Sequence, residues 1–265
     1  MDVIALSWWQ LAMAATLVIA LAACVYRARL GVGNALLLSA ARTAVQLTLI
    51  GFVLEALFAL GRPLWVALMG LAMLLLAGRE VMARQSYRLR GGWGFAIGTL
   101  SMFVSAFSVT VLTLIVVIGP SPWYSPQYAI PLLGMLLGNT MTGIALALDR
   151  LSEGVRRERQ LVEGRLMLGQ SWREACAELR RGAMRAGLMP IINAMAAAGL
   201  VSLPGMMTGQ ILSGTAPALA VKYQILIMFT IAAGTGFGTF IAVSVASRRL
   251  FDGHERLRLD RLKTA

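Results

Sequence analysis

Residues 149–210 read DRLSEGVRRERQLVEGRLMLGQSWREACAELRRGAMRAGLMPIINAMAAAGLVSLPGMMTGQ. The first part is charged and has a helical pattern. It is the only long polar segment away from the C-terminus. From Leu188 the sequence turns apolar and carries Asn193, Pro204 and Gly205. A charged helix feeding an apolar one that breaks at Pro-Gly describes a connector at a membrane face tied to a helix inside the membrane.

The rest of the chain agrees. Of 265 residues, 58% are hydrophobic and 14% charged, where soluble domains carry about a quarter charged residues. A membrane-spanning helix needs about 20 mostly apolar residues. Runs of that kind occur at about 8–26, 36–60, 64–82, 95–118, 128–148, 188–207 and 223–247, with a charged segment at 149–185. The expected fold is all-α: one polytopic membrane domain, 1–265, of about seven spans. Trp8, Trp9 and Tyr26 flank the first run as interfacial anchors. Gly91, Gly92 and Gly94, and the rigid stretch from Gly119 to Pro126, break the apolar pattern. The N-terminus lacks a basic n-region and a small-residue cleavage site, so the first run is expected to be retained.

Net charge is +12. With seven spans and the N-terminus outside, 21 of the 24 Lys and Arg fall in inner segments. Basic residues gather on the cytoplasmic side of membrane proteins, so the expected topology is N-out, C-in. The same distribution assigns the charge to topology and anionic lipid rather than nucleic acid. Cys24 and Cys176 fall in a span and in the charged segment, which implies no disulfide framework.

Several chemistries are excluded. No GxxxxGK[ST] loop is present to cradle ATP. The single histidine, His254, lies in the tail, and no His, Cys or carboxylate cluster has metal-site spacing. The spans contain serines but no histidine base. An enzyme working inside the membrane is not indicated.

Within the charged segment, Leu161, Leu168, Trp172, Ala175, Leu179 and Ala183 recur on one helical face. Such a helix lies on the membrane, docks into a partner groove, or is a solvated connector. Glu163 is followed six residues later by Gly169. This resembles the cytoplasmic coupling motif of ABC-transporter permeases. The motif's downstream Leu-Pro is echoed by Met189-Pro190, farther along than in the usual pattern. Three further stretches, Ala41–Gly51, Leu133–Gly143 and Leu200–Gly214, resemble the FetB family; the most specific is PGMMTGQ, Pro204 to Gln210. These are permease subunits of a bacterial iron-export ABC transporter, with plant relatives tied to aluminium tolerance.

The resemblance implies a permease of the bacterial inner membrane that does no bond chemistry itself. It implies a separate ATP-binding subunit that holds ATP and Mg, and a complex of two permeases and two ATPases. Contact with the ATPase would fall to Glu163, Gly169 and Trp172. The expected substrate path takes in Arg42, Gln46, Asn139, Asn193, Met206, Met207, Thr208 and Gln210, with Pro204-Gly205 as the helix break. Each residue also has a plainer reading. Arg42 can snorkel to the headgroups, Asn139 and Asn193 can bridge packed helices, and the methionines can fill gaps. Thioethers suit soft cations better than iron. An ABC permease for a non-metal solute such as a nucleotide sugar, and a stand-alone carrier or channel, are the alternatives.

Overall fold

In a computed structural model, residues 7–264 are described. Ser7 opens the first helix, α1 (Trp8–Arg27), through a reciprocal capping box with Gln10. The long helices α2 (Gly33–Leu60) and α3 (Pro63–Ala83) follow, the second started by proline at its first turn, where no N–H is needed. A short strand, β1 (Tyr87–Leu89), leads to α4 (Trp93–Met102). The fourth span then runs through a π-helical stretch, α5 (Ser108–Leu112) and a second π-helical stretch to Ile118. Ser105, Thr110 and Thr113 each donate their hydroxyl to the carbonyl four residues back. Such bonds compete with the helix ladder and bend it.

Helix α6 (Pro126–Arg157) has 32 residues, about 48 Å at 1.5 Å per residue. That exceeds the ~30 Å hydrocarbon core, so its charged last turns stand clear of it. The connector is folded as α7 (Arg159–Met167), α8 (Trp172–Ala175) and the start of α9 (Ala177–Ala197). A short α10 (Gly205–Leu212) precedes α11 (Pro217–Arg249), and β2 (Leu262–Thr264) closes the tail on β1 as an antiparallel pair.

Among the described residues, six helical stretches are long and apolar enough to cross a membrane. The expected seventh, 188–207, is built differently. Helix α9 begins in the charged connector and ends at Ala197, and a non-helical stretch separates it from α10. The stripe expected from Leu161 to Ala183 is likewise cut by the turn at Gly169. Trp172, Ala175 and Ala183 are buried, but Leu161 and Leu168 are exposed.

Helices α6, α9 and α11 form the centre, with α3 and α4 against α6. α6 and α9 cross at two glycines. A Cβ on Gly143 would stand 2.8 Å from the Gly187 carbonyl oxygen and 2.6 Å from Thr235; one on Gly187 would stand 2.6 Å from the Gly143 carbonyl oxygen. Small residues let helices approach this closely in membranes. Gly238 of α11 meets Ser105 and Thr140 in the same manner.

The basic segments collect at one end of this bundle. The β1–β2 pair ties the tail to the α3–α4 connection. Asp149 accepts from the Ser86 N–H at 2.7 Å, and the Arg156 guanidinium sits 4.6 Å over the Tyr87 ring. We predict that Gly143→Ala lowers the unfolding midpoint in detergent by several degrees, because overpacking costs about 1–3 kcal/mol. Gly138→Ala, where an added Cβ meets nothing within 4 Å, leaves the midpoint unchanged or raises it.

Candidate functional site

The break after α9 satisfies its own backbone. Gly199 turns with φ of 81° and donates to the Ser202 carbonyl at 2.9 Å. Pro204 caps α10, where its carbonyl accepts from the Thr208 N–H at 3.1 Å and from its hydroxyl at 3.2 Å. The break faces the middle of its neighbours, not their ends. A cleft of about 320 Å³ lies between it, α6 and α11, lined by Met135, Asn139, Pro204, Met206, Gln224 and Met228 among others. A second cleft of about 320 Å³ continues toward the end of the bundle opposite the basic segments, past Gln127, Tyr128, Gln210 and Tyr223. Met135, Met206 and Ile227 border both. Non-helical backbone at this depth is tolerated where it lines a cavity.

The chemistry of the walls is thioether, amide, hydroxyl, phenol and aliphatic. No carboxylate, histidine or cysteine lines either cleft. Among the described residues, no group of three or more His, Cys, Asp or Glu could hold a metal ion. The amide oxygens of Gln210 and Gln224 are buried without a hydrogen-bond partner. An unmet buried acceptor costs about 1–3 kcal/mol, so these two are placed at the expense of stability. Asn139 donates its amide to the Met135 carbonyl at 2.8 Å.

The structure brings together five of the residues singled out in the sequence: Asn139, Pro204, Gly205, Met206 and Gln210. Met207 and Thr208 are half-buried on α10 and border neither cleft. Asn193 is exposed on a different face of α9 from Ile191 and Ala194, which do line the cleft. Arg42 and Gln46 lie on α2, away from it. Arg42 reaches Glu80 of α3 at 3.0 Å, so its charge is met by a carboxylate. Gln224, Met135 and Met228 were missed. Gln224 alone carried a usable signal, as a polar side chain inside an apolar run.

At the basic end, α7 and α8 form a projecting tip. Gly169 takes φ of 85°, a left-handed conformation that lets the chain reverse after α7. Ser171 then caps α8 with Glu174, whose carboxyl is held below its ordinary range by the Ser171 hydroxyl and N–H. Met167 and Leu168 stand at the tip with 86% and 84% of their surface exposed. Glu163 is drawn back along α7 by Arg159 at 2.8 Å. Trp172 faces inward: it packs on Phe251 with ring centroids 5.7 Å apart, and its backbone N–H donates to Glu255 of the tail. Trp172 therefore anchors the tip, and the free apolar contacts are Met167 and Leu168.

These features define a polytopic all-α membrane protein with an interrupted helix inside its bundle and an apolar tip at its basic end. The chain belongs to the Uncharacterised protein family (UPF0014), whose model matches residues 8–251. It is 40% identical over 222 residues to UPF0014 membrane protein slr1647 of Synechocystis, covering 84% of this chain and 85% of that one. Identity is 30% over 255 residues, 96% of each chain, to the probable iron export permease protein FetB of Escherichia coli. It is 34% over 217 residues to the protein ALUMINUM SENSITIVE 3 of Arabidopsis thaliana, covering 81% of this chain and 77% of the relative. No solved structure matches the chain significantly.

Cys176 reports on how firmly the tip is anchored. It is buried, donates to the Trp172 carbonyl, and burial pushes its thiol up to about 11. The thiolate is the reactive form. In a Cys24→Ser protein at pH 7, maleimide is expected to leave Cys176 unmodified until denaturant releases the tail. Fast labelling of the folded protein would contradict the anchoring.

Proposed function

We propose that the chain is the permease subunit of an ATP-driven ABC exporter, with iron or another metal ion as cargo. The observation that carries this reading is the exposed Met167–Leu168 tip on a bundle that has no ATP-binding segment of its own. Two large apolar side chains held in water by a capped, anchored turn suit insertion into a partner's groove. That partner is an ATPase subunit, which holds ATP and Mg and performs hydrolysis. The basic end is cytoplasmic on the distribution of Lys and Arg. Two such chains pair, since each supplies one membrane half.

The name of the Escherichia coli relative supports iron export. The cleft walls add a chemical constraint. With no anionic ligand lining them, the path offers weak, exchangeable amide and thioether contacts, which suit passage rather than storage. Gln210 and Gln224 supply acceptors that a passing cation or its bound water satisfies. Closure of the ATPase on its nucleotide would move the tip, and α9 joins the tip directly to the break that borders the cleft.

Co-purification with an ATPase subunit tests this, with ATP hydrolysis followed against Fe²⁺, other metals and UDP-glucose. Stimulation by a metal is expected. Stimulation by UDP-glucose alone overturns the metal assignment, and transport in liposomes by this chain without an ATPase overturns the ABC assignment. Burying an apolar side chain is worth about 1.5–3 kcal/mol. Replacing Met167 and Leu168 by aspartate should thus weaken ATPase binding by about a hundredfold or more. Gln224→Leu removes an unmet acceptor, so it should hold or raise the unfolding midpoint while lowering metal export roughly tenfold.

A further inference from the structure

Where the basic end meets the apolar bundle, an open cleft of about 830 Å³ lies between the start of α4, the end of α11, the α8–α9 junction and the tail. Its walls are divided. Arg173, Arg180, Arg248 and Arg249 line the outer part, while Trp93 and Val245 are exposed apolar groups toward the bundle. Phe237, Phe240, Ser244 and Arg248 follow one another at i, i+3, i+7 and i+11 on α11, so they share a face. Phe237 and Phe240 are exposed. An apolar, outward-facing stripe of the spanning helix thus leads up into the arginines.

Three of these arginines are held by aromatic rings, and none of the four is neutralised. Arg249 sits 4.3 Å over the Trp93 ring, and Arg173 and Arg180 sit 5.5 and 5.6 Å from the Trp172 ring. A ring face orients a guanidinium but leaves its in-plane N–H donors free. Among the described residues, none of Arg173, Arg180, Arg248 and Arg249 pairs with a carboxylate. The Arg180 Nε–H is buried and has no acceptor. The one carboxylate in the wall, Asp252, is turned into its own loop, where it accepts from the N–H groups of His254 and Arg256 and from the Arg256 side chain, all at 2.9 Å. The cleft therefore presents several preoriented donors and a surplus of positive charge, beside an apolar track.

We propose that this cleft binds the phosphate of an anionic phospholipid headgroup. Arg180, Arg248 and Arg249 take its oxygens, and an acyl chain lies along Phe237 and Phe240 of α11. Basic pockets between spanning helices at the membrane surface have the chemistry for such headgroups, and guanidinium groups match phosphate oxygens in geometry. Inorganic phosphate shares the headgroup chemistry but would leave the apolar track unused. The bound lipid would join the α8–α9 junction to α11 and the tail, and so stiffen the base of the Met167–Leu168 tip. The site is a property of the chain whether or not it exports a metal.

The test is thermal unfolding of the purified chain in neutral detergent, titrated separately with dioleoylphosphatidylglycerol, dioleoylphosphatidylcholine and inorganic phosphate. Phosphatidylglycerol is expected to raise the midpoint by several degrees, and phosphatidylcholine at the same mole fraction to leave it in place. The double variant Arg248→Gln, Arg249→Gln should need roughly tenfold more phosphatidylglycerol for half the rise, measured from its own lipid-free midpoint. Arg181→Gln, outside the cleft, should titrate like the parent. Native mass spectrometry of the same samples should show one phosphatidylglycerol fewer retained per chain in the double variant. Equal titration of parent and double variant, or equal stabilisation by phosphatidylcholine, overturns the site. A full shift from millimolar inorganic phosphate alone overturns the lipid as its occupant.

Discussion

Gly143 of α6 and Gly187 of α9 meet backbone to backbone at the centre of the bundle. Everything around them is set by that approach. It brings Thr235 and Thr239 of α11 against the same crossing, and Gly238 lets α11 press on Thr140 and Ser105. In lipid there is little hydrophobic force between helices, so close packing of small residues carries much of the association. The closeness has a cost. The hydroxyls of Thr140, Thr235 and Thr239 are buried without a hydrogen-bond partner. A residue with a side chain at 143 or 187 would push α6 from α9, which both border the cleft at the break.

The fold was largely legible because its signals are local and long. Six apolar runs fall within helices long and apolar enough to cross a membrane, and the grouping of arginines anticipated that 79–90, 150–185 and the tail share one end. What misled was the continuity of the apolar pattern from Leu188 to Met207. Hydropathy does not register that Ala197 ends a helix, because alanine, glycine and leucine are as apolar in a turn as in a helix. The break begins at Ala198, ahead of the Pro-Gly pair that signalled it, and its bonds are made between residues three to five apart that no period reveals.

The candidate site was legible only in part. Asn139 and, from PGMMTGQ, Pro204, Gly205 and Met206 border the cleft, but a third of its wall comes from α11, whose Gln224 and Met228 are joined to the rest by tertiary packing alone. Arg42 was conspicuous as a charge within an apolar run, and its position on α2 beside Glu80 is a pairing across 38 residues of sequence that spacing does not show. Trp172 was grouped with Glu163 and Gly169 because it lies on the same segment. Its burial follows from the tail, which folds back through the β1–β2 pair and Arg261, whose guanidinium donates to the Arg249 and Phe251 carbonyls. The C-terminal stretch thereby decides that Trp172 is buried while Met167 and Leu168 stay exposed.

Helix α9 runs from Ala177, beside the projecting tip, to Ala197, at the edge of the cleft, and Gly187 lies ten residues from each end. The tightest contact on the helix is therefore at its midpoint. Glycine on glycine offers no side chains to interlock, so a small tilt there need not force rotamers on neighbouring helices. A rod held at its centre is a balance beam with arms of about 15 Å, and Pro190 sits on the outer arm, where it costs the helix a backbone hydrogen bond. A sideways shift at Ala177 returns in the opposite sense at Ala197, less whatever bending Pro190 absorbs.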